Sequence, residues 1–279
     1  MAEQTGLTAP SPPPATSTER SSIARRMLNK VPEVTLYFWI IKILATTVGE
    51  TFADYLNENL GFGLTGTTWV VSAVLAVVLA VQFRIPRYVP GVYWLAVVLI
   101  SIVGTLITDN LTDNAGVSLV TTTVVFGAAL AVTFAAWFAM ERTLSIHTIF
   151  SHRREAFYWL AVLFTFALGT AAGDLMAERL SLGFGTSALI FGGGIAAVAV
   201  ARFGLKLNAV LSFWIAYVLT RPLGASIGDW LSQPTDEGGK GLGTTATSSV
   251  FLGAILATVV YLSITRRDQT ERAEVRPTT

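Results

Sequence analysis

The sequence contains no cysteine. That excludes disulfides, thiolate metal sites and thiol nucleophiles, and leaves the redox compartment open. Histidine is almost missing as well. His147 and His152 both fall in the charged stretch HTIFSHRRE. Two histidines five residues apart, with no third ligand beside them, read as part of a solvated loop. Charge is scarce, at 13% of residues, where soluble domains carry about 25%. The net charge of +1 gives no nucleic-acid footprint. No spacing of a phosphate loop, and no order of serine, histidine and acid, points to catalysis, so no enzyme is expected.

Hydrophobic residues make up 52% of the chain. They gather in low-charge stretches of about 17–25 residues, enough to cross a hydrocarbon core of roughly 30 Å. The opening MAEQTGLTAPSPPPATSTERSS is rich in Pro, Ser and Thr and has no apolar centre. It reads as a disordered tail and not as a signal peptide. The closing RRDQTERAEVRPTT reads likewise.

The apolar stretches are repeated. Phe38-Trp39, Tyr93-Trp94, Tyr158-Trp159 and Phe213-Trp214 are aromatic–tryptophan pairs. Fifteen residues after each tryptophan stands an aspartate: Asp54, Asp109, Asp174 and Asp229. Five residues before each aspartate stands a glycine: Gly49, Gly104, Gly169 and Gly224. Asp54 to Asp174 and Asp109 to Asp229 both span 120 residues, and LGFG recurs at 60–63 and 182–185. One hairpin was duplicated, and the pair was duplicated again.

Each repeat has a first helix carrying Trp and Asp. The second helix is more uniformly apolar, roughly Thr68–Phe83, Leu119–Met140, Ala188–Phe203 and Ser248–Ile264. The expected fold is an all-α membrane protein. Eight transmembrane helices come from four parallel two-helix repeats, nested as two halves around an axis along the membrane normal. The expected division is a disordered cytoplasmic tail at 1–33, repeats at 34–88, 89–145, 146–208 and 209–265, and a cytoplasmic tail at 266–279. Glycines in the second helices, such as Gly127, Gly192 and Gly253, read as packing positions, and the tryptophans as interfacial anchors with a share in repeat-to-repeat packing.

Basic residues fall at every second turn: Arg20, Arg25, Arg26 and Lys30, then Arg84 and Arg87, Arg142, Arg153 and Arg154, Arg202 and Lys206, and Arg266 and Arg267. The turns within repeats offer Glu58, Asp113, Glu178 with Arg179, and Asp236 and Glu237 with Lys240. The asymmetry places both termini in the cytoplasm. All four repeats then insert the same way, and equivalent residues lie at one depth.

On these residues the chain resembles a bacterial family of integral membrane-anchored proteins built from four tandem copies of a two-helix repeat of unknown function. The resemblance covers roughly 34–264, and FWIIKILATTVGETFADYL (38–56) is especially similar to the family's first repeat. It implies the architecture, a multi-pass place in the bacterial inner membrane and the lipid bilayer as a partner. It implies no established activity.

Ionisable residues inside a membrane are costly, and each is a functional candidate. Four residues before the aspartates, on the same helix face, stand Glu50, Thr105, Thr170 and Ala225. If the first helices surround an axis, Asp54, Asp109, Asp174, Asp229 and Glu50, with Thr105 and Thr170, form a layer of hard oxygen ligands. Such a layer suits Mg, Ca or Mn, or carries protons. Each aspartate sits near a helix C-terminus, where the dipole disfavours negative charge, so something positive should compensate. Lys42 and Arg221 occur in one copy each. They are expected either to pair with an acid on another helix or to act as a counter-ion or gate. Pro222, with Gly224 and Gly228, makes the first helix of repeat 4 the most breakable.

The leading expectation is a transporter or exporter of a small cation, manganese or magnesium, coupled to protons and without a covalent cofactor. Two alternatives stand beside it. One is a proton-coupled carrier of a small organic solute, using the same carboxylates. The other is a structural or regulatory membrane protein, with the aspartates capping or tying helices. Oligomeric state is open.

Overall fold

The computed structural model describes residues 29–59 and 61–269. Among them are eight helices long and apolar enough to cross a membrane. In chain order these are α1 (Leu36–Asn59), α2 (Gly63–Arg84), α3 (Pro90–Asp109), α4 (Leu119–Glu141), α5 (His152–Asp174), α6 (Phe184–Phe203), α7 (Ala209–Ser232) and α8 (Thr244–Thr265). The outer helices α2, α6 and α8 each begin about four residues earlier than their apolar runs, because short Gly and Thr turns wind into them. Local chemistry sets several ends. Ser118 accepts from the Thr121 amide, Ser151 from Arg154, and Asn208 from Val210 and Leu211. Each satisfies orphan N–H groups at a helix start. Pro90, which has no N–H to lose, opens α3.

The first helices α1, α3, α5 and α7 form a central ring in which each packs on the next and α7 closes on α1. The second helices lie outside. Each outer helix packs chiefly on the inner helix of the following repeat: α2 on α3, α4 on α5, α6 on α7, and α8 back on α1. Contacts within a hairpin are sparse by comparison. Between 56% and 72% of the apolar core of each inner span is buried, against 11–28% for the outer spans. The outer faces present Trp69, Val77, Val124, Val132, Leu189, Phe203, Val250 and Leu256. That apolar belt belongs in lipid, where helices satisfy their own backbone groups.

The repeated motifs make this ring. A methyl group at Gly49 would collide with Ser101, at Gly104 with Phe166, at Gly169 with Arg221 and at Gly224 with Thr46. Each glycine gives room to the residue three places before the next repeat's glycine, and the fourth closes on the first. The aromatic pairs obey the same rule. Phe38 packs on Trp94 (5.6 Å), Tyr93 on Trp159 (5.4 Å), Tyr158 on Trp214 (6.3 Å) and Phe213 on Trp39 (5.7 Å). Trp94, Trp159 and Trp214 are buried. They serve as wedges between repeats, the packing share expected of them, because each ring fills the gap beside the neighbouring repeat's aromatic.

The two ends of the described chain meet at one end of the bundle. The Lys30 amide donates to the Ile149 carbonyl (3.0 Å) and the Glu33 amide to Asp268 (3.0 Å). Residues 1–28 and 270–279, the greater part of the expected tails, lie outside the described residues. Residues 29–33 were expected in the disordered tail, yet Asn29, Lys30, Val31 and Pro32 are buried. Lys30 Nζ reaches Glu155 (2.6 Å) and the Phe83 carbonyl (3.0 Å), and Gln82 donates to the same carboxylate (3.3 Å).

Candidate functional site

The four aspartates converge. Asp54, Asp109, Asp174 and Asp229 line one polar cavity of about 250 Å3 at the bundle end opposite the termini. Glu50, Asn57, Thr112, Asp113, Glu178 and Gln233 share its walls. Parallel insertion brings this about: equal spacing along four parallel helices puts equivalent carboxylates at one depth.

The rim is irregular in repeats 2 and 3. There α3 and α5 each end at their aspartate and continue as a π-turn, Asn110–Asn114 and Leu175–Arg179. Helices α1 and α7 stay regular past theirs. Asn110 ties the first π-turn to α2, donating to Thr68 (2.7 Å) and accepting from Thr65 (2.7 Å). Helix α7, expected to be the most breakable of the four, runs as one helix through Pro222. Irregularity sits at the acids instead, where π-turns commonly mark functional positions. No residue pattern in the sequence signals it.

The floor of the cavity is a buried polar cluster drawn from all four inner helices. Arg221 of α7 is wholly buried and ion-paired to Glu50 of α1 through Nη2 (2.8 Å). The same guanidinium donates to the Thr46 carbonyl (2.9 Å), to Thr170 of α5 (2.6 Å) and to Thr105 of α3. Thr105 in turn donates to Glu50 (3.2 Å). Arg221 thus sets one buried positive charge against Glu50, at the floor beneath the four aspartates.

Three acids stand closest together. Glu50, Asp174 and Asp229 each offer a carboxylate oxygen, and these lie within 4.8 Å of one another. Calcium–oxygen bonds are about 2.3–2.6 Å, so two such bonds span about that separation. The donor set is oxygen alone, which suits hard divalent cations. Asp54 and Asp109 complete the wall.

Lys42 lies below this floor, toward the termini. Its Nζ rests 3.8 Å from the Phe166 ring centroid and 4.1 Å from that of Tyr217. The expected pairing with an acid on another helix holds for Arg221 and fails for Lys42, whose Nζ has no hydrogen-bond partner among the described residues. Glu50, the acid further along the same helix, is engaged by Arg221. Beneath it, the Tyr93 and Tyr158 hydroxyls hydrogen-bond to each other.

The terminal end holds groups that the sequence did not single out. Tyr88 donates to Asp268 (2.6 Å), and Lys30 pairs with Glu155. Burial pushes the Asp268 carboxyl above the usual carboxylate range, against the Tyr88 hydrogen bond. Burial and the adjoining carboxylate push the Tyr88 hydroxyl up. In the sequence these residues looked like linker and tail charge, with no repeat to mark them.

The family model described as Repeat of Unknown Function (DUF347) matches four times, at residues 37–88, 92–143, 157–206 and 212–268. No curated protein and no solved structure matches the chain.

Proposed function

For this chain, which belongs to the family of DUF347 repeat proteins, we propose a membrane carrier of small hard divalent cations, manganese foremost, coupled to protons. The observation that carries the reading is the convergence of Glu50, Asp174 and Asp229 on one point of a cavity walled by Asp54 and Asp109. In this account a cation enters the cavity and takes carboxylate oxygens as ligands. Arg221 holds Glu50 when the cation is away and loses that hold as the cation arrives. Thr105 and Thr170 keep the guanidinium solvated by protein in either state. The cavity is smaller than the roughly 300–1,000 Å3 of organic-ligand pockets, which favours an ion over an organic solute.

The orientation belongs to the same proposal. Arg84, Arg87, Arg142, Arg153, Arg154, Arg202, Lys206, Arg266 and Arg267 all lie at or beyond the terminal end of the spans. The positive-inside rule makes that end cytoplasmic, in a bacterial inner membrane, and the acidic cavity then faces outward.

A second reading has one observation in its favour. The axis beneath the floor is filled by Phe166, Lys42, Tyr217, Tyr158 and Tyr93, all fully buried. A membrane protein that binds cations without moving them would look like this. Reconstituted vesicles separate the two. With a pH gradient imposed, the carrier moves Mn2+ across the bilayer, and the Asp174→Asn variant does not. Mn2+ binding with transport no faster than in protein-free vesicles rejects the carrier.

A further inference from the structure

Lys42 is a buried basic group that the cavity reading leaves unused. It is fully buried, and its Nζ finds no oxygen acceptor among the described residues. The ring faces of Phe166 and Tyr217 lie against it. The groups around it come from every packed helix. On its own helix, Glu50 is about two turns toward the cavity and is already held by Arg221. Helix α7 supplies Tyr217 and Arg221. Helices α5 and α3 supply Tyr158 and Tyr93 in the next layer. Helix α8 carries no charged residue, and its Tyr261 packs on Tyr37 at 5.7 Å.

One ring thus serves two cationic side chains. Phe166 lies 3.8 Å from Lys42 Nζ and 5.6 Å from the Arg221 guanidinium carbon. A single carboxylate, Glu50, is engaged at this level. When Lys42 is charged, two positive side chains face that one carboxylate, and the added charge opposes a cation entering from above. Of the two, arginine keeps its charge in proteins and a buried lysine can lose it. Cation–π contact offsets only part of what an ammonium loses on leaving water.

We infer that Lys42 is the proton-binding station of the carrier: as an ammonium it opposes the divalent cation in the cavity, and as an amine it admits it. The step is a simple deprotonation. An N–H bond of the ammonium breaks, the proton leaves to solvent, and the lone pair stays on Nζ. Metal binding and proton binding then exclude one another, which by linkage is reciprocal, and this is the coupling that an exchanger needs. The inference rests on the cavity reading and adds the seat of the exchanged proton.

The test uses the full chain, purified in weakly buffered detergent with a pH indicator, and titrated with MnCl2. Wild type should release about one proton more per bound Mn2+ than Lys42→Met, and its Mn2+ affinity should climb more steeply with pH. Lys42→Arg fixes the charge. Its Mn2+ affinity should fall on the order of tenfold or more, with a shallower pH dependence than wild type. If Lys42→Met fails to fold, the Lys42→Arg comparison decides. Mn2+ binding with the same proton count in wild type and Lys42→Met overturns this inference alone, as does unchanged affinity and pH dependence in Lys42→Arg. No Mn2+ binding by wild type overturns it together with the cavity reading.

Discussion

Gly169 of α5 lies against the side chain of Arg221 in α7, in space that any Cβ at position 169 would occupy. The absent side chain therefore sets where Arg221 can stand. From that place the guanidinium reaches Glu50, Thr105 and Thr170 on the other three inner helices.

Substitution of this glycine should be felt strongly. Gly169→Ala forces α5 and α7 apart or Arg221 out of its cluster, a cost of about 1–3 kcal/mol from overpacking. Gly253→Ala on α8 meets no neighbour and has helical backbone. It should be neutral or mildly stabilising. Thermal unfolding in detergent, side by side, reads the difference.

The buried ion pair gives a second prediction. Glu50→Gln leaves the Arg221 charge buried beside neutral partners and should destabilise by about 3–5 kcal/mol. Removing both, as Glu50→Gln with Arg221→Met, should recover much of that loss. A double-mutant cycle on unfolding free energy measures the coupling, and additive effects would contradict the pairing.

The terminal clasp should respond to pH. The Asp268 carboxyl is raised in the folded protein by burial. A raised acid favours its neutral form when folded, so its contribution is fully present below the ordinary carboxylate value and is lost as pH rises through the folded one. Asp268→Asn stays neutral throughout. The variant should gain stability relative to wild type as pH rises above the ordinary carboxylate range and through the raised folded value. A difference that is flat or shrinks with pH would contradict the burial argument.

Much of this architecture was legible because four-fold repetition turns spacing into geometry. Fifteen residues from Trp to Asp, kept four times, put the acids at one depth and let their layer be anticipated. The repeated glycine was visible, but its partner was not, since the contact crosses from each repeat to the next. The swap of outer helices onto the following repeat was hidden for the same reason. The tryptophans' share in packing between repeats was legible from their fixed aromatic partners, but not which repeat each ring wedges against. Of the two roles expected of Lys42, pairing with an acid does not occur among the described residues, and Glu50 on its own helix is taken by Arg221. The clasp of Lys30 with Glu155, and of Tyr88 with Asp268, lay in segments whose polarity resembles ordinary linker. Only tertiary packing distinguishes them.

The most direct test is the unfolding midpoint of the purified protein as a function of Mn2+ concentration. Wild type should rise, reaching about 2.7 kcal/mol of stabilisation at a hundredfold excess over the dissociation constant. Asp174→Asn and Asp229→Asn should lose most of that rise, while Asp236→Asn, outside the cavity, keeps it. A wild-type midpoint that ignores Mn2+, or cavity variants that respond as wild type does, would contradict the account.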